Sequence, residues 1–593
     1  MFRLTSSLVL FVVFTTSVTS AGTMPQAAPT SSAQVPANSA EQQALQRGRL
    51  ALQRGDVARA RSEFEKAVRL APNDAAAQAM LGWVLAALGE VPAAETHLRS
   101  AIKLKPGFVD PRLTLAGVLS QQGEAAEAEL EAHTAVKLAP QNVEAHRMLA
   151  RILSQSPGDE AALEMRRAVE LAPQRADLHD ELGTILAQRR QFAEAESDFR
   201  EATRLQPNLE SAHFHLGIVR LQQQQLDDAA GELETAVKIA PQDATAHYYL
   251  AKVFTAQSKN ADALAELQKC VVIKPDWFEV ETEFGLASQR AGNIDDAVKA
   301  FDKAIELRPD DPDAYNNLGL AYLQKGDAEG AIPKFKRALQ LRPNDSDLYG
   351  NLAVAYLQVA DFDAAATHLQ LGLKITPDNA SLHYNLGLVY KLKDQLDKAV
   401  PELESAIRLQ PGLVDAHYTL GVLYWQRGQF DKATEELQKA IEAKPEYAEA
   451  HYTLGTVYKQ QDKLSEAAAE LREAIRLQPD FAGAHITLAG VLRQMGDSAG
   501  ATEQAKEGAQ IVASTNNLQA ATVSTNSGKR LLAAGDLDGA IAQFRSAIHS
   551  KPDYAAAHYQ LGLALQQGGK KEEAKQEFQK AGELDSHFAP AVH

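Results

Sequence analysis

The chain has 593 residues, a formal net charge of −17 and a single cysteine, Cys270. One thiol cannot form an intramolecular disulfide or a thiolate metal cluster. The acidic balance argues against binding to the phosphate backbone of a nucleic acid. Apolar residues make up 45% of the sequence, which is an ordinary content for a chain that folds around a core.

The first 21 residues have the pattern of a secretory signal peptide. Arg3 supplies the positive start, residues 8–14 form a short apolar run, and small residues at 19–21 provide a cleavage site. The apolar run is too short to span a bilayer. Residues 22–40 contain prolines but few large apolar side chains, so we expect a disordered linker there. The sequence therefore predicts a secreted or periplasmic protein with no stable membrane span after cleavage.

Residues 414–447 show a pattern that recurs along the chain. Their apolar residues fall three, four and seven positions apart in two runs, which predicts two amphipathic helices. Gly428 lies between the runs, where a residue without a Cβ turns the chain most easily. Pro445 ends the second run, because proline lacks the amide donor. One such helical pair cannot bury both of its apolar faces, so it needs a similar pair on each side.

The proline that ends each pair recurs at a step of 34 residues nearly everywhere. That step is the period of the tetratricopeptide repeat. Fourteen prolines keep this phase: Pro72, Pro106, Pro140, Pro173, Pro207, Pro241, Pro275, Pro309, Pro343, Pro377, Pro411, Pro445, Pro479 and Pro552. Within 414–447, the Leu-Gly, Tyr, Gly, Ala, Ala and Pro positions of that family are matched by Leu420-Gly421, Tyr424, Gly428, Ala433, Ala440 and Pro445. The chain therefore resembles a tetratricopeptide-repeat (TPR) protein.

This resemblance covers about residues 41–588 and implies an all-α fold, a right-handed superhelical solenoid of about sixteen helix-turn-helix repeats. Repeats 1–14 are predicted at 41–513, repeats 15–16 at 521–588, and a short tail at 589–593. The segment from Pro479 to Pro552 is five residues longer than two repeats, and Ala513 stands where a proline is expected. The polar residues that follow predict a break or hinge at 514–520.

No catalytic or cofactor motif occurs in the sequence, so we expect neither an enzyme nor a bound cofactor. Histidine recurs at the fourth place of nine repeats: His146, His179, His213, His247, His383, His417, His451, His485 and His558. Helices pack about 8–10 Å apart, whereas two ligands of one metal must both come within about 2.1 Å of it. We therefore predict packing residues, with at most a weak response to pH, and no metal site. Cys270 takes the place of a small alanine and is predicted to be a small buried hydrophobe.

The free face of the first helices carries the candidate binding residues. In repeat 414–447 these are Tyr418, Thr419, Trp425 and Gln426, and the corresponding places in neighbouring repeats hold Asn317, Asn351, Tyr384, Asn385, Tyr452 and Thr453. Asparagine amides offer both a donor and an acceptor to an extended chain, and aromatic side chains add apolar contact area. An alternative interpretation is that these polar residues only keep a solvated face wet.

The array also resembles the long superhelical TPR arrays, such as the one that precedes the catalytic part of O-GlcNAc transferase. In such arrays a ladder of asparagines on the concave face holds a peptide backbone. The resemblance implies that role for Asn317, Asn351 and Asn385, although threonine takes over the place from Thr419 onward.

These observations predict an exported, non-catalytic scaffold that binds protein or peptide partners in its concave groove and helps to assemble protein complexes. The alternative is a docking or regulatory subunit of an envelope enzyme or secretion machine, such as a glycosyltransferase system.

Overall fold

The computed structural model describes residues 39–588, and this range is all helical, with no β-strand. The predicted signal peptide at 1–21, nearly all of the predicted linker at 22–40 and the tail at 589–593 lie outside the described residues. The helices pair as antiparallel hairpins, which confirms the all-α fold of helix-turn-helix repeats. The chain divides into two compact units. The first ends at Pro309 and the second begins at Asp310.

The first unit holds eight hairpins. Its helices are α1 Ala40–Gln53, α2 Val57–Leu70, α3 Ala75–Ala87, α4 Val91–Leu104, α5 Val109–Gln122, α6 Ala125–Leu138, α7 Val143–Leu153, α8 Glu160–Leu171, α9 Ala176–Gln188, α10 Phe192–Leu205, α11 Glu210–Gln222, α12 Leu226–Ile239, α13 Ala244–Ala256, α14 Asn260–Ile273, α15 Phe278–Arg290 and α16 Ile294–Leu307.

The second unit also holds eight hairpins. Its helices are α17 Pro312–Lys325, α18 Ala328–Leu341, α19 Ser346–Gln358, α20 Phe362–Ile375, α21 Ala380–Leu392, α22 Leu396–Leu409, α23 Val414–Gln426, α24 Phe430–Ala443, α25 Ala448–Gln460, α26 Leu464–Leu477, α27 Ala482–Gln494, α28 Ser498–Ala533, α29 Leu537–Ser550, α30 Ala555–Gln567 and α31 Lys571–Leu584. A 3₁₀ turn at Ser586–Phe588 follows.

Where a first helix carries the Leu-Gly step, this step brings the two helices of the hairpin into close contact. A Cβ placed on Gly421 would lie 2.8 Å from Cγ of Leu437, and one on Gly319 would lie 2.6 Å from Cε1 of Phe335. The side chain that fills this space is buried in each case. In these hairpins glycine leaves the space that the side chain of the partner helix occupies.

The turn inside each hairpin uses a left-handed backbone. Gly428 has φ of 70° at this turn, as its position between the two apolar runs predicts.

The lone cysteine is buried in a hydrophobic cluster of the first unit. Cys270 is fully buried, its thiol bonds to the carbonyl of Ala244 at 3.3 Å, and burial raises the pKa of the thiol to about 12. It is a small buried hydrophobe, as predicted.

The predicted break at 514–520 is wrong. A single helix, α28, runs through it for 36 residues and joins the second helix of repeat 14 to the first helix of repeat 15. Residues 512–520 are exposed, and the Thr515 hydroxyl donates to the carbonyl of Ile511 within the helix. No proline or glycine lies between Gly508 and Gly528, so polar composition alone does not interrupt the backbone hydrogen bonds.

The fusion in α28 explains how sixteen hairpins are built from 31 helices rather than 32. Although α28 is the longest helix, it is polar. Among residues 39–588 no helix combines the length and the apolar character that crossing a membrane requires.

Candidate partner-binding face

All ten predicted binding residues belong to the second unit. They lie on the first helices α17, α19, α21, α23 and α25, and the face that they share is called the groove face below. The three asparagines are half-buried. The Asn351 amide donates to Oδ1 of Asn316 at 2.8 Å. Within the described residues the side-chain amides of Asn317 and Asn385 form no hydrogen bond, so their donors and acceptors are available to a ligand.

The prediction that Thr419 and Thr453 are part of the binding face is wrong. Each is only 5% exposed, and the Thr453 hydroxyl donates to the carbonyl of Glu449, one turn earlier, at 2.7 Å. Because the hydroxyl is satisfied by its own helix, threonine can be buried here without an unpaired polar group. The amide ladder therefore ends at Asn385.

The tyrosines of this face are partly committed to packing between repeats. The ring of Tyr418 lies 5.0 Å from that of Tyr447, and the ring of Tyr452 lies 4.7 Å from that of Phe481, measured between centroids. Burial raises the pKa of Tyr384, and a hydrogen bond to Thr419 partly opposes this rise. All three tyrosines are nevertheless only half-buried, so part of each ring remains available for apolar contact with a ligand.

Trp425 and Gln426 lie toward the end of α23. The indole N–H of Trp425 donates to Oε1 of Gln460 at 3.1 Å, which links α23 to α25 across one repeat. Gln426 is exposed. The asparagines, the tyrosines and Trp425 are thus half-buried and Gln426 is exposed, whereas the two threonines are buried.

Sequence reasoning missed three contributors to this face. Asn316 pairs with Asn351, and the aromatic residues Tyr447 and Phe481 support the tyrosines from the N-caps of α25 and α27. The recurrence of an aromatic residue just before a first helix was the available signal.

Lys391 occupies the place of Trp425 one repeat earlier, and its pKa is lowered because burial disfavours its charge.

The corresponding face of the first unit has a different chemistry. Arg147 lies on α7 and contacts Glu181 at 2.5 Å and Asp177 at 3.2 Å. Arg175 contacts Glu144 at 2.5 Å. These charges neutralise one another within the chain, whereas the groove face of the second unit is dominated by uncharged amides and rings. The second unit is therefore the better candidate for binding.

The repeated histidines are packing residues, as predicted. Seven of the nine are buried, at 4–8% exposure, and His213 and His383 are half-buried. In each case the ring bonds to the carbonyl of the proline six residues earlier, as His417 does to Pro411 at 2.9 Å. Within residues 39–588, no group of three or more histidine, cysteine, aspartate or glutamate side chains is arranged to hold a metal ion.

Comparison with known families adds an independent observation. The family described as the C-terminal domain of cilia and flagella-associated protein 70 matches residues 276–485. Tetratricopeptide-repeat families match residues 45–107, 181–244, 214–276, 92–152 and 555–588, and a family described as TPR repeat matches 528–569. No curated relative matches the chain.

Several solved structures are similar to the chain. The APC/C hetero-tetramer Cut9-Hcn1 is 14% identical over 77% of this chain and 97% of its own, with a TM-score of 0.35. YrrB, described as a TPR protein with an unusual peptide-binding site, is 27% identical over 32% of this chain and 96% of its own, with a TM-score of 0.28. MamA is 28% identical over 28% of this chain and 96% of its own, with a TM-score of 0.26.

Proposed function

Because the chain is a tetratricopeptide-repeat protein, we propose that it is a non-catalytic scaffold that binds an extended polypeptide along the groove face of its second unit. Protein–protein interaction is the activity that the repeats support, and assembly of a complex around the bound polypeptide is the role that we propose for it. The amide ladder would act as the resemblance to long superhelical arrays implies, over Asn317, Asn351 and Asn385.

One observation carries this proposal. Amides without hydrogen-bond partners recur two repeats apart at Asn317 and Asn385, and Asn385 lies beside the half-buried ring of Tyr384. A polypeptide backbone repeats its own donors and acceptors, so amides that recur along one face suit it. Rings add contact area at a low cost in conformational entropy. Around α7 in the first unit, Arg147 and Arg175 are instead paired with carboxylates of the same chain.

Site-specific photocrosslinking tests where the partner binds. A benzophenone amino acid would replace Gln358 or Gln426, which are exposed and end the first helices α19 and α23. The matched control places it at Glu435 on the second helix α24, where the side chain is 65% exposed. We expect crosslinks to one polypeptide from positions 358 and 426 and none from 435. Equal crosslinking from all three positions would contradict binding on the groove face.

We also propose that the scaffold acts outside the cytoplasm, in a secreted or periplasmic location. The support is the sequence pattern of residues 1–21, with Arg3 before a short apolar run. We expect the mature protein to begin near residue 22, because small residues at 19–21 suit a signal peptidase. Mass spectrometry of the N-terminus of the purified native protein checks this, and an intact Met1 would refute it.

A further inference from the structure

Nine histidines of the first helices each lie between two hydrogen-bond acceptors. His417 approaches the carbonyl of Pro411 with Nε2 at 2.9 Å and Oε2 of Glu436 with Nδ1 at 2.6 Å. We call this arrangement a histidine bridge. It joins the loop before a hairpin, the first helix and the second helix.

Eight bridges end on a carboxylate: His146–Glu164, His179–Asp198, His213–Glu232, His247–Glu266, His383–Glu402, His417–Glu436, His451–Glu470 and His558–Glu577, at 2.5–2.8 Å. The ninth, His485, meets the amide oxygen of Gln504 at 2.8 Å instead.

The bridge requires one proton more than a neutral imidazole supplies. A backbone carbonyl and an ionised carboxylate are both acceptors, whereas a neutral histidine has a single N–H. Both contacts of His417 can be hydrogen bonds only if a second proton resides on the imidazole or on Glu436. The same geometry recurs in all eight bridges, so each of them needs a second proton in the same way.

Neighbouring cations contact three of the bridge carboxylates. The second oxygen of Glu436 accepts a bond from Lys439 at 2.9 Å. In the same way Lys269 contacts Glu266 at 2.7 Å, and Arg220 contacts Glu232 at 2.8 Å. One oxygen of each of these carboxylates therefore accepts from a lysine or an arginine, and the other faces the histidine. This geometry fits an imidazole that offers an N–H at both ring nitrogens.

A natural substitution in the third repeat supports this assignment. Arg112 stands at the place of the histidine and contacts Oε2 of Glu131 at 2.5 Å and the carbonyl of Pro106 at 3.0 Å. The sequence separations, 19 and 6 residues, equal those of the His417 bridge. Arginine is permanently charged and only donates. In this repeat the place is therefore occupied by a cation with two donors.

We propose that the eight histidine–carboxylate bridges are proton-dependent clamps, and that deprotonation of their imidazoles at alkaline pH loosens the joints between successive hairpins. This goes beyond partner binding and does not depend on it. Besides the bridge carboxylates and Pro carbonyls, the charged groups near these rings are Lys269, Lys439 and Arg220 on the shared carboxylates, Glu201 near His179 and Glu473 near His451.

For the His179 bridge, the sign of the pH effect follows from the direction of the pKa shift. The hydrogen bond to Asp198 raises the pKa of His179, while burial opposes this rise and the carbonyl of Pro173 adds to it. A raised pKa in the folded state means that folding favours proton uptake. The stability from the bridge is fully present below the unfolded imidazole value of about 6.5 and is lost as the pH rises through the raised folded value.

Histidine-selective ¹⁵N NMR of the full chain tests the proton directly. We expect the eight bridge imidazoles to keep both ring N–H groups at pH 7 and to lose one of them when the pH is raised further. His485 is the internal control, because its partner Gln504 is a neutral amide. An unprotonated ring nitrogen in these eight rings at pH 7 would overturn the proposal.

Two matched variants test the consequence for stability. In one, His383, His417 and His451 are replaced by arginine, which keeps both donors at any pH. In the other they are replaced by glutamine. The fold accepts glutamine at this place, because Gln78 holds it in the second repeat and its amide donates to the carbonyl of Pro72 at 2.8 Å. The urea midpoint of the wild-type chain should fall between pH 6 and pH 9.

The arginine variant should show a smaller fall, by about three-eighths, because three of eight bridges no longer titrate. The glutamine variant should have the lower midpoint at pH 6 and a similarly reduced fall. If the wild-type and both variants lose stability equally between pH 6 and pH 9, the bridges are not the titrating groups and the proposal fails.

Discussion

Replacing Phe335 with alanine is expected to destabilise the second unit by about 3–5 kcal/mol. The Phe335 ring is fully buried and fills the space that Gly319 leaves open on the facing helix. Alanine would leave a cavity lined on one side by a glycine, which has no side chain to collapse into it. Nearest-neighbour packing means that the loss also weakens the adjoining hairpins. Urea unfolding, followed by circular dichroism, should show an earlier first transition.

Phe335→Leu is the matched control for this prediction. The same place in later hairpins holds Leu403, Leu437 and Leu471, each packed against the glycine of its Leu-Gly step. Leucine is therefore a side chain that this hairpin geometry accepts, and the variant should lose less than about 1.5 kcal/mol. Equal losses for Phe335→Ala and Phe335→Leu would show that the Gly319 contact does not determine the packing of this hairpin.

The repeat fold could be predicted from the sequence because its signals recur. Each proline in phase ends a second helix, and each Leu-Gly step marks a close helix contact such as that of Gly421 with Leu437. A single occurrence would be ambiguous, but recurrence at a fixed period restricts the chain to stacked hairpins. The count of sixteen hairpins followed from this period even where one proline is missing.

The form of α28 could not be predicted from the missing proline at Ala513. Polar residues favour turns when glycine or proline is among them, but residues 514–520 contain neither. Because no such residue ends the helix in this segment, the backbone continues through it as one helix, α28. The lack of glycine and proline at 514–520 favours a continuous helix over a hinge.

The position of Thr419 shows the limit of reasoning from helical spacing. Spacing gives the direction in which a side chain points, but not how deeply neighbouring repeats cover it. Thr419 interacts with the hydroxyl of Tyr384 from the preceding repeat and is buried. The asparagines are half-buried and Gln426 is exposed, whereas Thr419 is covered by adjacent residues that helical spacing does not reveal.

The histidines illustrate the same limit for polar contacts. Their recurrence predicted a packing role, which the structure confirms, but the second acceptor lies on the other helix of the hairpin. His417 and Glu436 are 19 residues apart, and this separation also recurs in the sequence. A search for acidic residues at that fixed separation would have identified the bridges.

The central claim, that the groove face of the second unit binds a polypeptide through its amides, predicts a large effect on affinity. Removing Asn317, Asn351 and Asn385 together should eliminate hydrogen bonds worth roughly 0.5–1.5 kcal/mol each. Binding should therefore weaken about ten-fold or more. The melting temperature should hardly change, because these half-buried side chains do not form the core and only Asn351 bonds within the face, to Asn316.

Leu420→Ala serves as the contrasting variant. Leu420 is 2% exposed in the core of α23, so its truncation should cost about 2–5 kcal/mol and lower the melting temperature and the binding together. The decisive measurement is the dissociation constant of the polypeptide recovered with the wild-type chain, determined beside the melting temperature for both variants. We predict that the triple asparagine variant loses at least about ten-fold in affinity at an unchanged melting temperature. Unchanged affinity in that variant would contradict the account and show that the amides are only a solvated surface.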